Sequence, residues 1–407
     1  MTWLYRIYHW LLKMIVIVVG IPNPQLYRGR KGLALAIANL GLSHGDKVLV
    51  VTDEVLMRLA LHKVVDEALQ HGNLNAVYFN QVLPNPTIDN VESGLSVYQQ
   101  HHCRAIIALG GGSVMDCAKL IGARVVKPNK SVKQLKGLFK VIKRLPANIA
   151  IPTTAGTGSE TTVAAVVNDP DVAEKYAATD FCLVPHHAVL LPELTLSMPA
   201  QIKATTAIDA LTHAIEALLS INCLSFSRAR ALSACQAIFT YLPKAMTDSQ
   251  DEHAAEELLL ASHYAGQAFT RTSVGYVHAI SHQLSAQYGT PHGLANAVLL
   301  LPVLHWYGDA IHPTLAAIAD HCHIGSTNAP QRQRAEALLA HIDTLLTELK
   351  IVRTLPEIQP QDVTLLAQHA LNEAHPDYPV PKFMNLSQCQ TIIAGIASGD
   401  DGLSANT

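Results

Sequence analysis

Short apolar segments alternate with amphipathic segments through the first half of the chain. The apolar segments are KVLVVTD (47–53), NAVYFNQV (75–82), RAIIALGGGS (104–113) and ANIAIPTTAGTGSE (147–160). Helix-type spacing follows the first two, in VLMRLALHKVVDEALQHG (55–72) and NVESGLSVYQQHH (90–102). Strands that alternate with helices form parallel sheets, because each crossover helix returns the chain to the same sheet edge. The first half therefore predicts an α/β domain with a parallel sheet covered by helices on both faces.

The second half has a different pattern, in which long alanine- and leucine-rich stretches recur with 3.6-residue periodicity. AIDALTHAIEALLS (207–220) is an example, and PELTLSMP (192–199) is the turn-rich segment that precedes this region. These patterns predict an all-helical second domain. We therefore expect two domains, residues 1–195 and residues 196–407.

Charge and cysteine content limit which binding partners and which cellular compartment the sequence suggests. The net charge is −3 and no run of five basic residues occurs, so the chain lacks the electrostatic signature of a nucleic-acid-binding protein. The seven cysteines are widely spaced and form no CxxC motif. That pattern argues against a disulfide framework and against a zinc ribbon, and it predicts a cytoplasmic protein.

The first nineteen residues need a separate interpretation. Trp3, Ile7, Trp10, Leu11 and Met14 recur at helical spacing, and the run MIVIVV follows. The run is too short to span a bilayer, and no A-x-A-like cleavage site follows it. We predict an amphipathic lead-in to a first strand at MIVIVV and no membrane span. Contact of this segment with a membrane surface is an open alternative.

GGGSVMDCAK (110–119) joins an apolar strand to a helix. Three glycines allow the backbone to approach a pyrophosphate, and a helix N-terminus favours negative charge. We expect Ser113 to be the helix N-cap, with Asp116 completing a capping box. A tight strand-to-helix turn that needs glycine for geometry alone is the alternative. The segment matches neither GxGxxG nor the triphosphate-binding P-loop.

Two further features would suit a dinucleotide. Asp53 ends the first clear strand, where a carboxylate can accept from a ribose 2′-hydroxyl and repel a 2′-phosphate, favouring NAD over NADP. An aspartate that only caps a turn would look the same. PTTAGTGSE (152–160) supplies Thr153, Thr154 and Thr157 for hydrogen bonds to phosphate or ribose, although such a segment could also be a simple polar turn.

One carboxylate and three imidazoles stand out in the second half. Asp209 and His213 are four residues apart and share a helix face, whereas His278 and His292 come from later segments. This donor set suits a divalent first-row ion such as iron or zinc. Taken alone, the Asp209–His213 pair could be an ordinary i,i+4 helix pair.

Together these motifs resemble the iron-containing alcohol dehydrogenase family. The matching segments, in the family's order, are VTDEVL, PNPT, GGGSVMDCAK, PTTAGTGSE, IDALTHAIEA, VHAISHQL and TPHGLANAVLLP. The resemblance implies an N-terminal Rossmann-like dinucleotide-binding domain and a C-terminal all-helical metal-binding domain, the dehydroquinate synthase-like architecture. It also implies a metal in the cleft between the domains.

The resemblance also assigns residues. It implies that Asp209, His213, His278 and His292 are the metal ligands and that His282 lies beside the nicotinamide. It implies cofactor contacts at Asp53, Asn85, Gly111, Gly112, Thr153, Thr157 and Lys175. From the same two loops we add Ser113, Asp116 and Thr154 to the cofactor-binding set.

The resemblance implies reversible, NAD-dependent oxidation of a small-molecule alcohol to an aldehyde or ketone. Four protein ligands admit a substrate only if coordination expands beyond four, which favours Fe²⁺ over Zn²⁺. A zinc-dependent polyol dehydrogenase on the same fold and a catalytically silent NAD-binding protein are the alternatives. We expect a homodimer. HPDYPVPKFMN (375–385) departs from the family pattern and leaves the alcohol's identity open.

Overall fold

The structure is a computed structural model, and it describes residues 2–170 and 174–398. The described chain forms two compact units. The sheet unit comprises residues 21–198 and 249–266, and the helical unit comprises residues 2–20, 199–248 and 267–398. This division differs from the predicted contiguous one because the N-terminal segment belongs to the helical unit and residues 249–266 belong to the sheet unit.

The described residues of the sheet unit form nine strands. They are β1 (Gln25–Arg28), β2 (Lys47–Val51), β3 (Asn75–Phe79), β4 (Ala105–Gly110), β5 (Gly137–Leu138), β6 (Ala147–Pro152), β7 (Ala164–Asp169), β8 (Glu174–Thr179) and β9 (His187–Leu190). Six of them form one sheet in the order β1-β9-β6-β4-β2-β3, and every neighbouring pair in it is parallel. The predicted parallel sheet is therefore confirmed. The other three form a small sheet in the order β5-β8-β7.

Five helices accompany these strands. They are α2 (Gly29–Ala38), α3 (Glu54–Arg58), α4 (Lys63–His71), α5 (Ile88–Gln100) and α6 (Gly112–Val126). Alternate residues of β2 enter two separate cores: Leu49 belongs to one, and Val48 and Val50 belong to the other. Because successive strand side chains point to opposite faces, the sheet is covered on both sides, as predicted.

The helix predicted over residues 55–72 is interrupted. Two helices, α3 and α4, cover this segment, and Ala60 between them has a φ of +57°. A left-handed residue cannot continue a right-handed helix, so the chain turns there although the apolar periodicity continues.

The remaining helices lie in the second half, except for the first. They are α1 (Thr2–Val19), α7 (Ala200–Leu219), α8 (Ser225–Thr247), α9 (Glu252–Thr272), α10 (Tyr276–Tyr288), α11 (His292–Tyr307), α12 (His312–His321), α13 (Gln331–Glu348), α14 (Val363–Ala374) and α15 (Leu386–Ser398). The predicted all-helical character of the second half is confirmed. Helix α7 is buried along most of its length, including the polar residues Asp209, His213 and Glu216.

The strand predicted at MIVIVV is wrong. These residues form the last turns of α1, which ends at Val19 before the left-handed Gly20, and the first strand is Gln25–Arg28. The helical spacing that begins at Trp3 continues through the β-branched run, and tertiary contacts of the earlier turns hold the segment helical despite its strand propensity.

One described stretch, His292–His321, has the length and composition of a membrane-spanning helix. Within its most apolar window, 61% is buried inside the protein. Burial of that extent is typical of a core helix, which is apolar because it packs against other helices.

Lys119 of α6 is buried and forms hydrogen bonds with the segment that follows β6. The Lys119 ammonium donates to Thr162 Oγ1 at 2.7 Å, to the Ala164 carbonyl at 2.9 Å and to Ser159 Oγ at 3.0 Å. Burial lowers the pKa of Lys119 to about 8, while the carboxylates of Asp116 and Glu160 act to raise it. The charged form is therefore retained at neutral pH, and its hydrogen bonds offset the cost of burying it.

We predict that Lys119→Met lowers the free energy of unfolding by roughly 3 kcal/mol, because it leaves buried oxygen acceptors without their donor. Chemical denaturation measures this change. The matched control is Lys31→Met, at an exposed lysine of α2. Equal stabilities of the two variants would contradict the role given to Lys119.

Candidate metal centre and nucleotide loop

Three adjacent parallel strands bring the predicted nucleotide-binding segments to one edge of the sheet. Strand β4 lies between β2 and β6. Because parallel strands end at the same edge, Asp53, the glycine segment 110–112 and the threonines after β6 follow neighbouring strand ends. Ligands of open α/β sheets bind at this carboxyl edge.

The glycine segment is closely packed on the threonine segment. A Cβ added at Gly112 would lie 3.0 Å from Thr157 Cγ2, and one added at Gly111 would lie 3.5 Å from Thr154 Oγ1. A Cβ at Gly110 would come within 2.5 Å of Val114 Cγ2, which is too close for any other residue type. Helix α6 begins directly after Gly111, so its first backbone N–H groups lack intrahelical partners and suit an anion.

The predicted capping box at Ser113 is wrong. Gly111 is the N-cap of α6, and in the described residues no side chain caps this helix. Ser113 Oγ instead accepts from the Asn85 N–H at 3.2 Å. The carboxylate of Asp116 accepts from Ser159 Oγ at 2.6 Å and from the Val166 N–H at 3.0 Å, so it joins α6 to two later segments. The helix starts two residues earlier than expected because glycine needs no side-chain cap to adopt the N-cap conformation.

Asp53 caps a helix in this structure. Its Oδ1 accepts from the Leu56 N–H at 2.9 Å at the start of α3. This is the turn-capping arrangement, and it occupies one carboxylate oxygen, so the role of Asp53 toward a ribose stays a prediction. Lys175 pairs with Asn168 between β8 and β7, and its side chain lies outside the described residues.

The four predicted metal ligands come together. Asp209 and His213 lie on α7, His278 lies on α10 and His292 begins α11. One ligand atom from each residue lies within 4.8 Å of all the others. Asp209 Oδ1 is 3.5 Å from His278 Nε2 and 3.6 Å from His292 Nε2. Ligand atoms that share a tetrahedral ion at about 2.1 Å are separated by about 3.4 Å, so these distances fit a divalent first-row ion.

The contacts of Asn296 show that several hydrogen-bond acceptors converge at the four-residue cluster. Its buried Nδ2 lies 2.6 Å from Asp209 Oδ1, 3.1 Å from His278 Nε2 and 3.1 Å from His292 Nε2. An amide NH₂ has two hydrogens and cannot serve three acceptors at once. A surplus of atoms with free lone pairs is typical of a cation site. These four ligand residues therefore fit a metal ion.

Glu216 fixes the orientation of His278. It lies seven residues after Asp209 on α7, and its Oε2 is 2.6 Å from His278 Nδ1. Because a carboxylate only accepts, Nδ1 carries a proton, and the other ring nitrogen, Nε2, points at Asp209. A carboxylate behind a metal-binding histidine sets the ring orientation and raises the basicity of the ligand nitrogen.

The same carboxylate also holds the start of α10. It accepts from the Gly275 N–H and the Val277 N–H, both at 2.8 Å. A Cβ added at Gly275 would lie 2.7 Å from Glu216 Oε1, so only glycine allows this approach. Glu216 thus connects α7 to α10 and fixes the separation of their ligand-bearing faces.

The charges in this cluster favour an ionised carboxylate. Burial alone would raise the pKa of Asp209, but the neighbouring His213, His292 and His278 lower it well below its usual range. Burial lowers the pKa of His292, although Asp209 acts to raise it. A neutral imidazole presents the lone pair that a metal needs.

His282 lies beside this cluster and outside the four-residue set. Its ring stacks on His292 at a centroid distance of 5.3 Å, and its Nδ1 is 2.6 Å from Glu373 Oε1. Tyr378 and Gln283 also donate to the Glu373 carboxylate, at 2.6 and 2.7 Å. These bonds hold the imidazole of His282 in one orientation.

Sequence reasoning missed Glu216, Asn296, Glu373 and Gly275. Glu216 had a usable signal, since it lies at helical spacing from both Asp209 and His213. Asn296 had a similar one, four residues after His292. Glu373 had none, because His282 and Gln283, which it contacts, are about ninety residues away along the chain.

A parallel sheet with a glycine segment at its carboxyl edge, together with a four-residue metal set, defines a dinucleotide- and metal-dependent oxidoreductase. Comparison with known proteins specifies the family. The model of the iron-containing alcohol dehydrogenases matches residues 24–192, and the model of the C-terminal region of the Fe-containing alcohol dehydrogenase family matches residues 203–396. The chain belongs to the iron-containing alcohol dehydrogenase family.

Individual relatives agree with this assignment. Alcohol dehydrogenase 4 of Schizosaccharomyces pombe is 34% identical over 87% of this chain and 83% of its own length. NAD-dependent methanol dehydrogenase of Bacillus methanolicus is 32% identical over 80% of this chain and 86% of its own. The crystal structure of a 1,3-propanediol oxidoreductase superposes with a TM-score of 0.87, at 30% identity, over 92% of this chain and 99% of that one.

We predict that Glu216→Ala and Gly275→Ala each weaken metal binding by roughly 10- to 100-fold, although neither residue is in the ligand set. The first removes the partner of His278, and the second displaces the Glu216 carboxylate. Chelator competition followed by elemental analysis measures the affinity.

Glu348→Gln, at an exposed position of α13, is the control and should bind metal as the unmodified protein does. Unchanged affinity in both alanine variants would show that His278 needs no support from α7.

Proposed function

We propose that this chain is an NAD-dependent alcohol dehydrogenase that uses Fe²⁺ held by Asp209, His213, His278 and His292. The convergence of these four ligand atoms carries the proposal. A protein that only binds NAD has no need for this donor set, which argues against a catalytically silent role. Membership of the iron-containing family favours iron over zinc.

We propose a short primary alcohol or diol as the substrate. Two of the relatives named above act, by their names, on methanol and 1,3-propanediol, which share a terminal CH₂OH group. The reaction converts that group to an aldehyde and is reversible. When bound, NAD supplies the hydride acceptor, and the divalent ion supplies Lewis acidity that favours loss of the hydroxyl proton.

The nucleotide is held, in this proposal, by the edge of the sheet unit. The open N–H groups after Gly111 bind the pyrophosphate, and Thr153, Thr154 and Thr157 donate to phosphate or ribose oxygens. Asn85 and Ser113, which are hydrogen-bonded to each other, support the same loop. Asp53 accepts from the ribose with the carboxylate oxygen that does not cap α3.

We propose that the hydroxyl proton passes to Nε2 of His282. Its Nδ1 bonds to Glu373, whose carboxylate stabilises the imidazolium that forms. Burial would raise the pKa of Glu373, but His282 and the hydrogen bonds from Tyr378 lower it, so Glu373 stays ionised. The carboxylate therefore orients the ring and balances its charge without taking the proton.

A cytoplasmic location and a homodimer remain predictions. All seven cysteines are free in the structure, and four of them are buried. Free thiols of this kind fit a reducing compartment.

We expect anaerobically iron-loaded protein to reduce NAD in the presence of short primary alcohols and diols. The appearance of NADH absorbance measures the rate. A chelator should abolish it, and Fe²⁺ should restore it. A chelator-insensitive rate, or a rate restored by Zn²⁺ and not by Fe²⁺, would contradict the proposal, and the latter result would favour a zinc polyol dehydrogenase.

We predict that His282→Gln and Glu373→Gln lower kcat by roughly 100-fold while metal content stays unchanged, because both impair the proton acceptor and neither removes a ligand. Steady-state kinetics with elemental analysis separate the two quantities. His321→Gln, at an exposed position of α12, is the matched control. Loss of metal from His282→Gln would make that residue a ligand instead.

A further inference from the structure

Helix α1 is attached to the helical unit through its polar side chains. Arg6 donates to the carbonyls of Val380 and Pro381 at 2.6 and 2.9 Å. His9 is fully buried and donates from Nε2 to the Pro376 carbonyl at 2.5 Å. The helix therefore buries its polar face, in contrast with an ordinary surface helix.

Further contacts fix the helix along its length. Tyr8 donates to Asp377 at 2.9 Å, and Lys13 donates to the Ile221 carbonyl at 3.2 Å. The His9 carbonyl accepts from Asn222 Nδ2 at 3.0 Å, and the Arg6 guanidinium lies 4.4 Å from the centre of the Phe383 ring. These bonds define which side of α1 faces the protein and which side faces outward.

The outward side is almost entirely apolar. Ten of the twenty-two large apolar side chains that are exposed in the described residues lie on α1. They are Trp3, Leu4, Ile7, Trp10, Leu11, Met14, Ile15, Ile17, Val18 and Val19. Trp3 and Trp10 are 63% and 59% exposed. A patch this concentrated marks an interaction surface, because the exposed apolar residues of an ordinary protein surface are mostly scattered.

The shape of the patch indicates what covers it. At 100° per residue nine of the ten side chains occupy a continuous arc of about 160°, Val19 lies about 40° beyond it on the far side of Tyr8, and the 18 residues of the helix extend about 27 Å. Contact between two helices buries a narrower seam and would leave much of this arc in water. A deformable interface, such as the head-group layer of a bilayer, can surround the helix and cover the whole apolar arc.

The side chains themselves suit lipid head groups. Tryptophan has an apolar ring and one N–H donor, which is why it concentrates at membrane interfaces. Helix α1 contains no acidic residue, and its two cations are Arg6 and Lys13. Positive charge beside an apolar face favours anionic phospholipids.

Helix α1 contacts the segment HPDYPVPKFMN (375–385), which departs from the family pattern in the sequence analysis. The family models begin at residue 24, after α1. The segment that receives Arg6, Tyr8 and His9 is 376–381, within the atypical HPDYPVPKFMN.

We propose that the outer face of α1 binds the surface of an anionic phospholipid bilayer, with the helix axis parallel to the membrane plane. The attachment of its polar face to residues 376–381 keeps the helix flat against the protein and presents one side only. This proposal does not depend on the proposed catalytic activity.

The test is sedimentation of the full chain with vesicles of phosphatidylcholine and phosphatidylglycerol. The variant Ile7→Gln/Leu11→Gln/Val18→Gln should reduce the partition coefficient by roughly tenfold or more, because it places polar groups on the outer face, which would enter the bilayer. The control Leu35→Gln/Val352→Gln/Leu365→Gln changes three exposed apolar residues outside α1 and should bind like the unmodified protein. Vesicles should also shift the fluorescence of Trp3 and Trp10 to shorter wavelength.

Circular dichroism establishes that each variant is folded, and Trp3→Ser/Trp10→Ser provides a second test of the same face. Failure of the folded, unmodified chain to bind these vesicles would overturn the proposal. Equal binding by the α1 and control variants would overturn it as well. So would a stable oligomer that the α1 variant dissociates, because a second copy of the chain would then cover the face.

Discussion

The carboxylate of Glu216 accepts from two backbone N–H groups and from the His278 imidazole. Through these bonds one buried side chain of α7 sets both the start of α10 and the direction of a ligand ring. Removing it would leave buried donors unpaired, and an unpaired buried donor costs roughly 1–3 kcal/mol. The four-residue metal set depends on Glu216 for this reason: Asp209 and His213 are both on α7, whereas His278 is on α10, which Glu216 holds against α7.

In the proposed function, nucleotide binding and metal binding depend on different kinds of structure. The glycine segment depends on backbone geometry, since a Cβ at Gly110 would clash with Val114 and one at Gly112 would press on Thr157. The metal set uses side chains from three helices, oriented by buried hydrogen bonds. Substitutions at the loop should therefore act through backbone conformation, and those at the metal set through ligand orientation.

The fold could be predicted from sequence because it leaves local signals, whereas the full ligand set, with His278 and His292, came from the family resemblance. The apolar segments at β2, β3, β4 and β6 have strand length and turn residues at their ends, and Asp209 and His213 have helical spacing. The sequence-based predictions were wrong or incomplete where contacts between distant parts of the chain determine the local structure. Helix α1 keeps β-branched residues in a helix because Arg6 and His9 hold it against the protein. Glu373 reaches His282 from a distant segment, and periodicity carries no information about such a pair.

Diffraction from crystals loaded anaerobically with Fe²⁺, with data collected on both sides of the iron absorption edge, would test the metal assignment most directly. We predict one anomalous peak within about 2.3 Å of ligand atoms from Asp209, His213, His278 and His292. His282 should lie outside that coordination shell. A peak bound to another group, or none at these four residues in iron-loaded crystals, would contradict the assignment.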